Sequence, residues 1–159
     1  MNKFIKILLL NALIFGQATI SQAGYDMLQM KGWLEQAIAK INTNPNNYCR
    51  IQKDADKDVI ACVIYETMPA GNATSEQEVT QISMNFDGSY QPKEPVLAQE
   101  VINGYKVNIW QEKNIIPVYP PKEIIVTTYV VNFNQNLQVV ISCDGDHPCY
   151  AKLLLNAMK

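Results

Sequence analysis

The chain has 159 residues, 48% of them hydrophobic, and a formal charge of −2, which suits one domain with its own core. Its weak acidity and its one arginine, Arg50, argue against a nucleic-acid-binding protein, which needs clustered Lys and Arg. Its one histidine, His147, excludes a metal site built from several His ligands.

The first 23 residues have the organisation of a secretory signal peptide. Lys3 and Lys6 form a basic start, 7–15 is a short apolar segment, and Ser21-Gln22-Ala23 offers small residues at a cleavage site. The apolar segment is shorter than the roughly 20 residues of a spanning helix, so we predict no stable membrane anchor. Cleavage would leave residues 24–159 as one domain in the periplasm or secreted.

The mature chain is predicted to begin with an amphipathic helix over 26–42. Apolar residues recur along it at helical spacing, and the Asn-rich loop around Pro45 ends it. Two strands follow, over 48–53 and 59–67. The second is apolar on both faces, which predicts a central position in a sheet.

The middle of the chain alternates strand and turn signals. We predict a loop over 68–77 and a strand over 78–86. Asn103-Gly104 is a strong hairpin turn signal before another strand, over 105–112. The segment 96–101 is ambiguous, because it also fits the start of a helical turn.

The longest β-prone stretch forms a hairpin of strands 124–133 and 137–143. A three-residue loop, 134–136, sets Tyr129 opposite Ile141 and gives one face that is almost wholly apolar, whereas a loop one residue shorter would mix apolar with polar positions. We expect a left-handed residue at Asn136.

A second helix ends the chain, with Asp146 as its N-cap and Pro148 in its first turn. The order of one helix, about six strands and another helix predicts an α+β fold. In this fold one antiparallel sheet carries both helices on the same face.

Four cysteines in an exported chain predict two local disulfides. If 54–57 is a four-residue hairpin loop, Cys49 lies opposite Cys62. The other pair, Cys143 and Cys149, brackets the turn before the last helix.

The sequence predicts no catalytic, cofactor-binding or metal-binding residues. His147 beside Asp144 and Asp146, with Ser142 as the nearest hydroxyl, suits a general base, but a surface turn is the better interpretation. Alternating aspartates in the first hairpin resemble a calcium loop, but Tyr65 stands where the bidentate Glu belongs.

The proline-rich connection 113–123 offers a partner contact at Tyr119, Pro120 and Pro121, to which we add Trp110. The alternative is a cover over a sheet edge. We therefore expect an exported, non-enzymatic binding protein with an unidentified protein partner, such as an inhibitor or immunity protein for a toxic or hydrolytic protein. The alternatives are an envelope accessory or scaffold component and a small hydrolase that uses His147.

Overall fold

A computed structural model describes residues 26–88, 90–92 and 95–158, so the predicted signal peptide lies outside the described residues. The elements in chain order are α1 (Met27–Ile41), β1 (Tyr48–Asp54), β2 (Lys57–Ala70), β3 (Ala73–Asn85), β4 (Ala98–Ile102), β5 (Tyr105–Ile116), β6 (Lys122–Asn132), β7 (Gln138–Asp144) and α2 (Ala151–Ala157). None of the described helices is long and apolar enough to cross a membrane.

The described residues form one antiparallel sheet of seven strands, in the order β1-β2-β3-β7-β6-β5-β4. The α+β prediction, with a helix before the sheet and a helix after it, is confirmed. The seventh strand is β4, which covers the segment that the sequence left ambiguous. Two meanders, β1–β3 and β4–β7, meet where β3 pairs with β7.

The predicted register of the β6–β7 hairpin is confirmed, with Tyr129 paired to Ile141. The left-handed backbone expected at Asn136 is wrong, because that residue does not have a positive φ. The Asn134 side chain closes the loop instead. Its Oδ1 accepts hydrogen bonds from the backbone N–H groups of Asn136, at 2.9 Å, and Leu137, at 2.8 Å.

Two loops are shorter than predicted. The first hairpin turns through Ala55 and Asp56 alone, both at positive φ, and Asp54 already pairs with Lys57. The segment 68–77, predicted as a loop, belongs almost entirely to β2 and β3, which pair up to a two-residue turn. The physical reason is that this turn starts at a glycine with a φ of 63°, a conformation that lets two strands continue to their tip.

The last helix begins later than predicted. It starts at Ala151, so Asp146 does not cap it and Pro148 lies before its first turn. Residues 145–149 instead form a turn at the end of β7, and the backbone N–H of Tyr150 donates to Thr80 Oγ1 at 3.2 Å. The turn must reach back to β7, because Cys149 is bonded to Cys143.

Both helices cover the same face of the sheet. Leu34 of α1 and Leu154 of α2 are fully buried against apolar side chains of the central strands, such as Ile64 and Ile141. The opposite face is more polar. A smaller apolar cluster covers part of it, and a groove of about 450 Å³ lies over the strands nearest β1.

The two predicted disulfides are confirmed. Cys49 and Cys62 are paired residues of β1 and β2, with their Cα atoms 4.1 Å apart, and Cys143 and Cys149 close the turn after β7 with a Cα separation of 5.4 Å. All four cysteines are therefore bonded. Each disulfide has one cysteine in an interior strand of the sheet, Cys62 in β2 and Cys143 in β7.

Candidate functional site

Two hairpins project beyond the same end of the sheet. The β2–β3 hairpin continues past the first residue of β1, which pairs with Val63. The β5–β6 hairpin continues past Ile109, where the pairing with β4 begins, and past Val126, where the pairing with β7 ends. We call residues 65–78 the acidic arm and residues 113–125 the apolar arm.

The end of β7 and the disulfide-closed turn lie between the arms. Because β3 and β6 flank β7, the facing strands of the two arms are two ladder spacings apart, about 10 Å. The turn is seated closely against the apolar arm. The Gly145 N–H donates to the Ile125 carbonyl oxygen at 2.7 Å, and Lys122 makes an ion pair with Asp146.

Isoleucines occupy both faces of the apolar arm and stay partly or largely exposed, although the turn at Gly145 lies against Ile125. Ile115 is 72% exposed and Ile125 is 43% exposed, and they are diagonal neighbours on the face that holds the helices further along the sheet. Ile116 and Ile124 are diagonal neighbours on the other face, and each is partly exposed. The arm therefore exposes apolar side chains on both of its faces.

The predicted contact residues Tyr119, Pro120 and Pro121 form the tip of the apolar arm. Tyr119 is fully exposed, both prolines are exposed, and Val118 beside them is half-exposed. The Val118 N–H donates to the Ile116 carbonyl oxygen at 2.8 Å, which fixes the entry into the tip. The structure therefore presents these three residues together at the end of a hairpin.

The fourth predicted contact residue, Trp110, lies elsewhere. Only 7% of it is exposed, and it packs with Val130 and Val140 beneath Tyr90, on the face of the sheet opposite the helices. Tyr90 follows β3, and hydrogen bonds between its backbone and the Gln138 side chain hold it on this face. The structure does not bring Trp110 together with the tip of the apolar arm.

The acidic arm is named for three carboxylates that have neutral hydrogen-bond donors. Glu66 accepts from Asn42 Nδ2 at 3.0 Å and from the Tyr150 hydroxyl. Glu78 accepts from the Gln81 amide. Neutral donors fix the positions of these carboxylates. None of the three makes a close ion pair within the described residues, although Arg50 lines the same groove as Glu78.

The third carboxylate, Glu76, is the most closely held. It accepts from Thr67 Oγ1 at 2.5 Å and from Asn44 Nδ2 at 2.6 Å. These two hydrogen bonds, with that from Thr67 first, lower the pKa of Glu76. The side chain therefore stays charged to a lower pH than an ordinary glutamate.

In the structure, His147 and Ser142, the residues of the hydrolase hypothesis, are not hydrogen-bonded to each other as a base and its hydroxyl would be. His147 Nε2 lies 4.0 Å from Asp144 Oδ2, whereas Ser142 Oγ lies 3.2 Å from Thr128 Oγ1. Within the described part of the chain, the buried Nδ1 of His147 has no hydrogen-bond partner. The described residues also contain no group of three His, Cys, Asp or Glu side chains that would hold a metal ion.

Comparisons with protein families, with curated proteins and with solved structures find no match to this chain.

The sequence analysis identified the tip of the apolar arm, but it did not predict that either arm is a hairpin. One signal was present, since the isoleucine doublets at 115–116 and 124–125 flank the proline-rich tip symmetrically. Another was the alternating acidic pattern that ends at Glu78.

Proposed function

We propose that this protein is an exported, non-enzymatic binding protein that holds a protein partner against its two arms. The kind of protein is an inhibitor or immunity protein, which occupies a toxic or hydrolytic partner. The observation that carries the proposal is the apolar arm, which exposes isoleucines on both faces and the whole of Tyr119 at its tip.

The arm has the properties of a preformed contact surface. Aromatic side chains are enriched among the residues that dominate binding energy, and Tyr119 is positioned to enter a pocket of the partner. The strand ladder from Lys113 to Ile125 and the two prolines after Tyr119 restrict the backbone before binding. Less conformational entropy is then lost when the complex forms.

Export is supported by two features of different kinds. The first 23 residues have the basic, apolar and small-residue regions of a signal peptide. The described fold then carries two disulfides, which form and persist in oxidising compartments.

The test is photo-crosslinking in the cells that produce the protein. A photoreactive residue at Tyr119 is expected to give one dominant cross-linked product of defined mass. The same residue at Val101, which is 76% exposed on the edge strand β4, is expected to give none. A His147→Ala variant should leave the product unchanged.

Equal cross-linking from positions 119 and 101, or from neither position, would contradict the proposal. If the His147→Ala variant lost the phenotype that the native protein supports in these cells while it still cross-linked, the hydrolase hypothesis would be favoured instead.

A further inference from the structure

We infer that the partner of the two arms presents a basic surface, with lysine or arginine side chains beside an apolar pocket. This inference rests on the proposed function and names the chemistry of the protein bound there. It follows from the unequal distribution of charge and apolar surface between the arms.

The end of the molecule that carries the arms is far more acidic than the whole chain. Residues 65–79, 110–126 and 144–149 contain seven carboxylates and two lysines, a formal charge of −5. The whole chain has −2, and residues 24–159, which lack Lys3 and Lys6, have −4. The remainder of the exported chain therefore carries a formal charge of only +1, so the negative charge lies at this end. A charge separation of this size favours the approach of a cationic partner to the arms.

Five of the seven carboxylates at this end have no lysine partner. Three of them lie on the acidic arm, and the other two are Glu112 and Asp144. Lys113 pairs with Glu123 at 2.9 Å and Lys122 pairs with Asp146, so both lysines are already matched by carboxylates. The carboxylates of the acidic arm have the neutral donors described above. A partner thus meets an apolar hairpin whose lysines are paired. About 10 Å away it meets a hairpin that carries Glu76 and Glu78 on one face and Glu66 on the other.

Hydrogen bonds within the protein already fix two carboxylates of the acidic arm in position. Thr67 and Asn44 hold Glu76 from two sides, and Tyr150 and Asn42 hold Glu66. Preorganised carboxylates form charge-assisted hydrogen bonds with ammonium or guanidinium groups without first ordering their own side chains. The apolar arm would supply most of the buried contact, and the acidic arm would select a partner with basic groups beside it.

The experiment titrates short peptides into the isotope-labelled, disulfide-bonded mature protein and follows the amide signals by NMR. One peptide alternates lysine and leucine, and the matched peptide alternates glutamate and leucine. We expect the lysine peptide to shift signals of both arms and to bind more weakly as salt is added. The glutamate peptide should bind far more weakly.

The charge dependence is tested with conservative variants. The double substitution Glu76→Gln and Glu78→Gln removes two charges and keeps one acceptor oxygen on each side chain. At position 76 this oxygen can still accept from Asn44 while the new amide N–H donates to Thr67 Oγ1. The double variant should bind the lysine peptide about fivefold more weakly. The control, Asp54→Asn with Asp56→Asn, removes two charges at the opposite end of the sheet and should leave the affinity unchanged.

Two outcomes would overturn the inference: failure of the lysine peptide to bind the arms, and equal affinity of the two peptides or of the two double variants. Cross-linking at position 119 with a charge-independent affinity would leave the proposed function standing and remove only the basic partner. Absence of cross-linking at position 119 would remove the proposed function itself.

Discussion

Replacing Ile141 by alanine is expected to lower the free energy of unfolding by about 4 kcal/mol. Ile141 is fully buried in β7, paired with Ile82 of β3 on one side and with Tyr129 of β6 on the other. Its side chain lies at the junction of the two meanders, beneath the helices. The shorter side chain would leave a cavity there, and the strands on both sides limit how far the site can collapse.

The measurement is urea unfolding followed by circular dichroism. Ile51→Ala is the matched control, because Ile51 lies on the edge strand β1 and is 38% exposed. We expect the control to cost less than about 1 kcal/mol. If both variants lost the same stability, the junction of β3 and β7 would not be the centre of the core.

Removing the first disulfide, by Cys49→Ala with Cys62→Ala, is expected to cost about 3 kcal/mol. The bond links residues 13 positions apart, and its loss returns conformational entropy to the unfolded chain. The second bond, Cys143–Cys149, spans only 6 positions, so its removal should cost less, about 2.4 kcal/mol.

The same unfolding measurement, made without reductant on each double variant, checks this order. Reducing the native protein should reproduce the sum of the two losses when the sites are independent. A larger loss from removing Cys143 and Cys149 would contradict the loop-length argument and would indicate that the turn between the arms depends on its bond.

The sheet was predictable where the side-chain pattern admits one register. Tyr129 could face only Ile141, because any slip by one residue moves an apolar row onto a polar face. The Cys49–Cys62 pairing followed from the same kind of argument. Turns were harder to predict, since Ala55 and Asp56 adopt positive φ only because the strands on either side hold them there.

The arms could not be predicted from local sequence, because an arm is defined by where its neighbours stop. The residues around Ile115 do not predict that β4 pairs with β5 only as far as Ile109, or that β7 ends opposite Val126. The exposure of the isoleucines depends on these distant strand ends. Trp110 is the opposite example, because a distant residue buries it. Tyr90, which precedes it by 20 positions, packs against the cluster that contains Trp110.

The most direct test of binding through the apolar arm is the dissociation constant for the partner identified by cross-linking. The variant Ile115→Ser with Tyr119→Ser is compared with Val101→Ser, in which an equally accessible apolar side chain is removed from β4. We predict that the arm variant binds at least about tenfold more weakly and that the β4 variant binds as tightly as the native protein. Equal affinities for all three proteins would contradict the account.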